Sequence, residues 1–443
     1  MNEELFAYIK KQKISPTKID KEIKSWSFEK CSEFINKCDE MILYKSIPSP
    51  TLFSFVASGS FGGGISDCYM PECRVKKIDS LARFSTFYSD RVLIQNPFDK
   101  YHEIKSFKND PTYLKQLLLG DLKVLFKIEP LIIADLVGIS KSQMCFCPEC
   151  LKKVIKRKKE ISSKIKKGEK VLLKKYLDKT NLRCKKISGE MVTYLSGPEE
   201  LIEHSEQIFI LGKEHPLQKY YNKSKATNFQ IKDRNIKKKF LLRYLSPIFE
   251  DMLLQDTYSY VHGYNSITNK ETDLFVRRNI ETVSKNLKIS KLMKGLTHAV
   301  PNLENISIKN LIDLRIQGEE SFKVYRDTVT KVMQKIKIDT DEEEVKSLVQ
   351  SEIIPEINNL DMLLKNIRKN ATQSFIKKMV LGSSYIFLGL FSGFVPTNIG
   401  GILAGLGGHK FIEGVTDDLI KKYKIPSEIE RSKYYFLWKA RRL

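Results

Sequence analysis

Thirty consecutive residues, from Met379 to Gly408, contain no charged side chain, in a chain where 29% of the residues are charged. A continuous helix of this length would be about 45 Å long, which is more than the hydrocarbon core of a bilayer needs. Pro396 divides the segment instead into parts of 17 and 12 residues. The first part is at the lower limit for a membrane span and the second is too short. We therefore expect an apolar helical hairpin.

Glycines in both parts of this hairpin lie four residues apart, as Gly389 with Gly393 and Gly401 with Gly405. Small residues at this spacing allow two helices to approach closely. The hairpin can be buried in a helical bundle or against another subunit, or it can enter a membrane. We favour burial, because the apolar length falls short of a full span. The aromatic and basic segment Lys433–Arg442 fits either a membrane-surface anchor or a helix that docks on the bundle.

Helical periodicity dominates the C-terminal half. Apolar residues from Phe322 to Ile336 are spaced 3, 4, 3 and 4 apart, which is typical of a helix that packs on another helix. Thr340 and Glu343 form a capping box that starts a further helix. A second near-heptad stripe runs from Ile357 to Phe375. These patterns predict an α-helical domain over residues 241–443 that includes the apolar hairpin 379–408.

The sequence of the N-terminal half predicts a mixed α/β, cysteine-containing domain over residues 1–240, in which helices are the majority. Together with the helical C-terminal domain, this gives a predicted fold class that is mainly α. The predicted strands are Arg91–Gln95, Thr193–Leu195 and Gln207–Leu211, and the predicted helices include Thr112–Phe126 and Leu151–Leu177. An apolar run from Thr51 opens into the glycine-rich loop Gly59–Gly64. No Lys-Ser or Lys-Thr follows this loop, so it is not a Walker-type phosphate loop.

Composition limits the class of protein. With 443 residues and 42% apolar side chains, the chain is large enough for two well-packed domains. The 76 Lys and Arg against 53 Asp and Glu give a net charge of +23, which draws a protein toward nucleic acid, anionic lipid or an acidic partner. The lysine usage of an AT-rich bacterial genome explains the charge equally well. Because the first residues lack a secretory signal and the eight cysteines are irregularly spaced, we expect a cytoplasmic bacterial protein.

Two cysteine pairs have the spacing of metal ligands. Cys147-Pro-Glu-Cys150 forms a knuckle that can hold one tetrahedral zinc, and Cys68-Tyr-Met-Pro-Glu-Cys73 is the best candidate for the second pair. Cys145 and Cys184 are substitutes. Four cysteine ligands would make a closed, structural zinc site. The alternatives are inert reduced thiols and, from the helix that follows the knuckle, a redox pair.

The segment Leu151–Lys179 contains 13 Lys and Arg against 3 acids. Its apolar residues fall near one helical face, so the charges cover the other side. The candidate polyanion-binding residues are Lys152, Lys153, Lys156, Arg157, Lys158 and Lys159. The alternative is a solvated helix face that binds nothing in particular. No aromatic residue occurs among the lysines before Tyr176, whereas platforms for unpaired bases need several.

Asp90 followed by Glu103-Ile-Lys105 resembles the metal-binding signature of the PD-(D/E)xK nucleases. In that family carboxylates hold Mg²⁺ and the lysine stabilises charge. The resemblance implies a metal-dependent nuclease, with Pro97 in the place where the family has a tight hairpin.

A second resemblance rests on Ser89–Phe98, on the Cys-Pro-x-Cys knuckle and on Leu314-Arg315 with Ser321-Phe322 and Tyr325-Arg326. Together with the helical bundle and its glycine-rich hairpin, these segments resemble uncharacterised bacterial proteins that accompany antiviral defence genes. The resemblance implies a non-enzymatic sensor or effector with a protein partner or a second copy of itself. A nucleic-acid-binding protein, a nuclease and a membrane-disrupting effector are the alternatives.

Overall fold

The computed structural model describes residues 2–43, 49–51, 53–64, 70–101, 104–140, 146–188, 190–211, 227–268 and 307–317, and the single residues 272, 273, 275, 276, 319, 322, 347 and 351. Helices dominate these residues, and two small sheets accompany them, so the fold is mixed α/β. The helices are α1 Asn2–Lys11, α2 Ile19–Ser25, α3 Phe28–Leu43, α4 Pro71–Tyr88, α5 Pro111–Ile133, α6 Pro148–Tyr176, α7 Arg234–His262 and α8 Ile308–Gln317. The strands are β1 Ser54–Ala57, β2 Arg91–Ile94, β3 Val137–Ile139, β4 Asn181–Ile187, β5 Glu190–Ser196, β6 Glu206–Leu211, β7 Asn228–Gln230 and β8 Asn265–Ile267.

The chain divides into two compact units. The parallel-sheet unit comprises Met1–Met144, Tyr264–Asn269 and the described residues after 284, and the antiparallel-sheet unit comprises Cys145–Gly263 and Lys270–Val283. Residue 240, at which the sequence analysis places a domain boundary, lies inside α7.

The parallel-sheet unit is built on four strands in the order β3-β2-β1-β8, all of them parallel. In the register of this sheet, Phe55 of β1 lies between Val92 of β2 and Asn265 of β8. Every residue of β1, β2 and β3 is buried. Parallel strands with buried side chains on both faces are the usual centre of an α/β layer arrangement.

Helix α5 is the central helix of this unit. It begins where the Asp110 carboxylate accepts a hydrogen bond from the Tyr113 amide, with Pro111 at the first helical position. Both features satisfy or remove amide groups that a helix start leaves without partners. The helix packs against α1, α2, α4 and α8. Its buried residues therefore occur on several faces, from Leu114 to Ile132.

The antiparallel-sheet unit contains four strands in the order β6-β5-β4-β7. Buried and exposed residues alternate along most of β4, which is typical of a sheet with one face on the core. The sheet's core also contains residues of α6 and α7, including Leu172 and Leu245. Helix α7 starts at the Asp233 carboxylate, which accepts from two backbone amides, and ends at Gly263 with a φ of 70°.

Several predicted elements are confirmed, among them the strands at 91, 193 and 207 and the helices within α5 and α6. The predicted α-helical domain over residues 241–443 also contains a strand, β8, because Asn265–Ile267 completes the parallel sheet. None of the described helices is both long enough and apolar enough to cross a membrane. The apolar hairpin 379–408, the capping box and the stripe from Ile357 to Phe375 lie outside the described residues.

Candidate nucleic-acid interface

The basic segment forms one continuous helix, α6, of 29 residues. Pro148 occupies the first turn, where its missing amide proton costs nothing. The residues that follow are chiefly Lys, Arg, Glu, Leu and Ile, most of which have good intrinsic helix propensity. The helix is about 43 Å long at 1.5 Å per residue.

One face of α6 is fixed to the rest of its unit. The buried residues Val154, Ile161, Ile165 and Leu172 are spaced 7, 4 and 7 apart and so share one side of the helix. This side packs against α7, and Tyr176 is buried at the end of the helix. The opposite face is therefore held in a fixed orientation toward solvent.

That opposite face carries a line of lysines, which we call the lysine stripe. Its members are exposed and recur at the three- and four-residue spacing of one helical face, with Ser163 in the one gap. The lysine stripe consists of Lys152, Lys156, Lys159, Lys167, Lys170 and Lys174. It extends over 22 residues, about 33 Å.

Helix α6 also contains three acids, Glu149, Glu160 and Glu169. Within the part of the chain that the structure describes, none of the stripe's six ammonium groups forms an ion pair. Glu149 and Glu160 are exposed at three- and four-residue spacing from Lys152 and Lys156, so they border the stripe, whereas Glu169 lies further round the helix. The stripe is therefore a mainly positive surface that two acids border without forming ion pairs with it among the described residues.

The six residues predicted from sequence divide into two groups. Lys152, Lys156 and Lys159 belong to the lysine stripe, and Lys153 and Lys158 are exposed outside it. Arg157 is half-buried instead. Its Nε and Nη2 donate to the two carboxylate oxygens of Asp256 on α7, at 2.8 and 2.5 Å, so that this arginine ties α6 to α7.

Sequence reasoning stopped short of the full surface. Lys167, Lys170 and Lys174 extend the lysine stripe by about four further turns beyond Lys159, and a three- and four-residue count from Lys152 that continues through Ser163 reaches them. The prediction instead included the adjacent residues 156–159, where the charge is densest. Adjacent residues of a helix point in different directions and therefore do not form one surface.

Two cysteines of the predicted metal site lie at the start of α6. Cys147 immediately precedes the helix and Cys150 is in its first turn; both are exposed reduced thiols. Two hydrogen bonds from Cys150 lower the pKa of Cys147. The larger effect comes from the Cys150 backbone amide and the smaller one from the Cys150 thiol. The hydrogen bond between the two side chains raises the pKa of Cys150.

The remaining predicted ligands are dispersed or undescribed. Cys73 is an exposed thiol in α4, while Cys68 and Cys145 lie outside the described residues. Cys184 is buried in β4, with its sulfur 3.5 Å from the Thr193 hydroxyl. No group of three metal-ligating side chains occurs among the residues that the structure describes. Zinc binding stays a prediction.

The nuclease-like residues are described only in part. Asp90 lies at the amino end of β2, where its carboxylate accepts a hydrogen bond from the Thr51 hydroxyl at 2.5 Å. Glu103 and the side chain of Lys105 lie outside the described residues. The nuclease hypothesis therefore stays a prediction as well.

Comparisons with protein-family models, with curated proteins and with solved structures find no match to this chain.

Proposed function

We propose that the lysine stripe of α6 binds the phosphate backbone of double-stranded nucleic acid. The observation that carries the proposal is the stripe's geometry: six exposed lysines on one face of a helix whose other face is buried. Lysines fixed in a line contact successive phosphates, and each contact releases condensed counterions. Binding of this kind supplies affinity and register without reading base sequence.

The stripe's dimensions favour a duplex as the ligand. Its length of about 33 Å is close to one turn of B-form DNA, which repeats every 34–36 Å or so. Proteins that bind unpaired bases combine cations with exposed aromatic side chains on which the bases stack. Tyr176, the one aromatic residue of α6, is buried. The helix therefore offers charge but no stacking surface.

The position of α6 in its unit supports the same function. Its apolar face packs on α7, and the bidentate contact between Arg157 and Asp256 fixes the helix further. Because the cationic surface is already ordered before the ligand binds, less conformational entropy is lost on binding.

The test is fluorescence anisotropy with a labelled DNA duplex over a series of salt concentrations. Replacing Lys152, Lys156 and Lys159 by Glu removes three phosphate contacts. The slope of log affinity against log salt should then fall by about 2–3. The affinities for an RNA duplex and for an unpaired strand of the same length are measured in the same way. Tighter binding of the duplexes than of the unpaired strand is the expected result.

A matched variant controls for net charge. Lys11, Lys18 and Lys21 are exposed lysines of the parallel-sheet unit, and their replacement by Glu changes the net charge by the same amount. This control should keep the wild-type slope, apart from a small long-range effect. Equal slopes for the two triple variants and the wild type would contradict the proposal, as would tighter binding of the unpaired strand.

A further inference from the structure

The parallel sheet contains a topological switch point. From β1 the chain proceeds to β2 and then to β3 on one side, whereas β8, which follows the segment Cys145–Gly263 of the antiparallel-sheet unit, pairs with the other side of β1. Ligands of α/β sheets bind outside the carboxyl ends of the strands at such a point. Here the carboxyl ends of β1 and β8 are joined by a hydrogen bond of 2.7 Å from the Ser58 amide to the Ile267 carbonyl.

The glycine-rich loop Ser58–Gly64 lies at this end of β1. Its backbone is folded on itself, since the amides of Gly62, Gly63 and Gly64 donate to carbonyls within the loop. Gly63 has a φ of +79°, and an added Cβ there would lie 2.8 Å from a methyl group of Val124. These amides are committed to the loop itself, so an anion at this edge would have to be held by side chains.

Cationic side chains surround the loop. Arg74 donates from Nε to the Gly63 carbonyl at 2.8 Å, and Lys77, one helical turn further along α4, donates to the Ser60 hydroxyl at 3.1 Å. Both residues are on the same face of α4. The loop is thus held by two positive side chains.

A third cation reaches the same cluster from the loop after β2. Arg74 Nη2 and Lys100 Nζ donate to the same oxygen of Asp121, Oδ1, at 2.5 and 2.7 Å, and the Tyr101 hydroxyl donates to the other oxygen at 2.5 Å. Arg74 and Asp121 are 2% and 0% exposed. Among the described residues, Asp121 is the one carboxylate within ion-pair distance of Arg74 or Lys100.

Within the described part of the chain, two cations, Arg74 and Lys100, therefore share the one carboxylate of Asp121. A buried excess of positive charge is costly unless an anion or solvent compensates it. Lys100 is the member that reaches solvent, with 31% of its side chain exposed. Burial among these groups lowers the pKa of Lys100, against the opposing effect of Asp121.

We infer that this carboxyl edge is a binding site for the phosphate group of a small molecule, with Lys100 as the residue that contacts it. Lys100 lies where the cluster opens to solvent, and the excess charge of Arg74 beneath it favours an anion at that position. Lysine is a common phosphate ligand and acts as a point charge. The site belongs to the parallel-sheet unit and is independent of the lysine stripe.

The inference is tested by isothermal titration calorimetry of the full chain with pyrophosphate at constant ionic strength. A charged hydrogen bond is worth about 1.5–3 kcal/mol, so Lys100→Gln should weaken binding by about 10-fold to 100-fold. Lys100→Arg keeps the charge and should bind within a few-fold of the wild type. Lys127, a half-exposed lysine of α5 that pairs with Asp79, gives the matched control Lys127→Gln, which should bind as the wild type does.

Two further measurements test whether pyrophosphate binds at this site. One excludes binding to the lysine stripe, and the other excludes a general attraction of anions to a basic protein. The variant with Lys152, Lys156 and Lys159 changed to Glu should bind pyrophosphate unchanged; its loss of binding would place the anion on the lysine stripe and overturn the inference. Citrate replaces phosphate by carboxylates and should bind more weakly. The absence of any binding heat at millimolar pyrophosphate would also overturn the inference. Equal affinity of Lys100→Gln and the wild type for pyrophosphate would overturn it too, because the cluster would then be a purely structural contact.

Discussion

Arg157 and Asp256 join the middle of α6 to α7 through two parallel hydrogen bonds of 2.8 and 2.5 Å. Their side chains are 35% and 17% exposed, so that the pair is only partly screened by water. A bidentate pair of this kind fixes both direction and distance, because the planar guanidinium matches the carboxylate. The basic helix is thus anchored by one of its own cations, while its neighbours remain available for a ligand.

We expect Arg157→Lys to lower the free energy of unfolding by about 1–2 kcal/mol, since lysine keeps the charge but cannot form both hydrogen bonds. Arg234 and Asp178, whose side chains are 65% and 70% exposed, provide the matched control. Arg234→Lys should change stability by less than about 0.5 kcal/mol. Urea unfolding of both variants measures the difference, and equal values for the two would contradict an anchoring role for Arg157.

Local patterns in the sequence predicted the longer elements well. The helical spacing within Leu151–Leu177 corresponds to α6, and the predicted strand Thr193–Leu195 lies within β5. Three of the four strands of the parallel sheet were missed, namely β1, β3 and β8, which have only three or four residues each. Strands this short carry too few residues for a periodicity of two to be recognised, and β2, which is equally short, was recognised from its apolar run and the Asn96-Pro97 that closes it.

The division of the chain between the two units could not be predicted from the sequence for a different reason. The strand β8 pairs with β1 across more than two hundred residues, with Phe55 opposite Asn265, and no local pattern encodes a contact between such distant segments. The Asp121 cluster was missed likewise, since its members come from α4, α5 and the loop after β2. The link to antiviral defence and a protein partner stay predictions.

Asp121 should be among the residues whose replacement is most destabilising in the parallel-sheet unit. Asp121→Asn removes the carboxylate from the fully buried contact with Arg74 and leaves that guanidinium without its charge partner. We expect a loss of about 3–5 kcal/mol. Asp79, which is 44% exposed in its pair with Lys127, is the control; Asp79→Asn should cost less than about 1 kcal/mol. Similar midpoints of thermal unfolding for the two variants would show that the Asp121 contact contributes little.

Gly120 lies inside α5, where a change from glycine to alanine ordinarily stabilises a helix by about 0.5–1 kcal/mol. Here the new Cβ would lie 2.6 Å from Arg74 Nη1, and Arg74 is held by Gly63 and Asp121. We expect Gly120→Ala to destabilise the protein. The same change should cost less in an Arg74→Lys background, which removes the crowded nitrogen, and a double-mutant cycle measures this coupling. Additive effects would show that Arg74 moves aside freely.

The zinc prediction is tested by metal analysis of protein purified without chelators. We expect about one zinc per chain, and a variant with Cys147→Ser and Cys150→Ser should lose both the metal and thermal stability. Cys184 is buried beside Thr193, so Cys184→Ala should keep the metal. Zinc-free wild-type protein, together with unchanged stability of the double variant, would leave these cysteines as ordinary thiols.

The two cysteines of the knuckle should differ in reactivity once the protein is free of metal. The hydrogen bond from the Cys150 backbone amide lowers the pKa of Cys147, and Cys147 in turn raises the pKa of Cys150. Because the thiolate is the reactive form, alkylation of Cys147 by iodoacetamide should reach half its maximal rate at a lower pH than alkylation of Cys150. Mass spectrometry of the modified peptides measures both profiles.

A variant separates the backbone contribution from that of the neighbouring thiol. Cys150→Ala keeps the backbone amide, which has the larger effect on the Cys147 pKa, and removes only the thiol contact. We therefore expect the pH midpoint for Cys147 in this variant to rise only part of the way toward that of an ordinary cysteine, near pH 8.5 or so. A complete return to that value would assign the shift to the thiol of Cys150. Identical midpoints for Cys147 and Cys150 in the wild type would show instead that the start of α6 does not distinguish the two sulfurs.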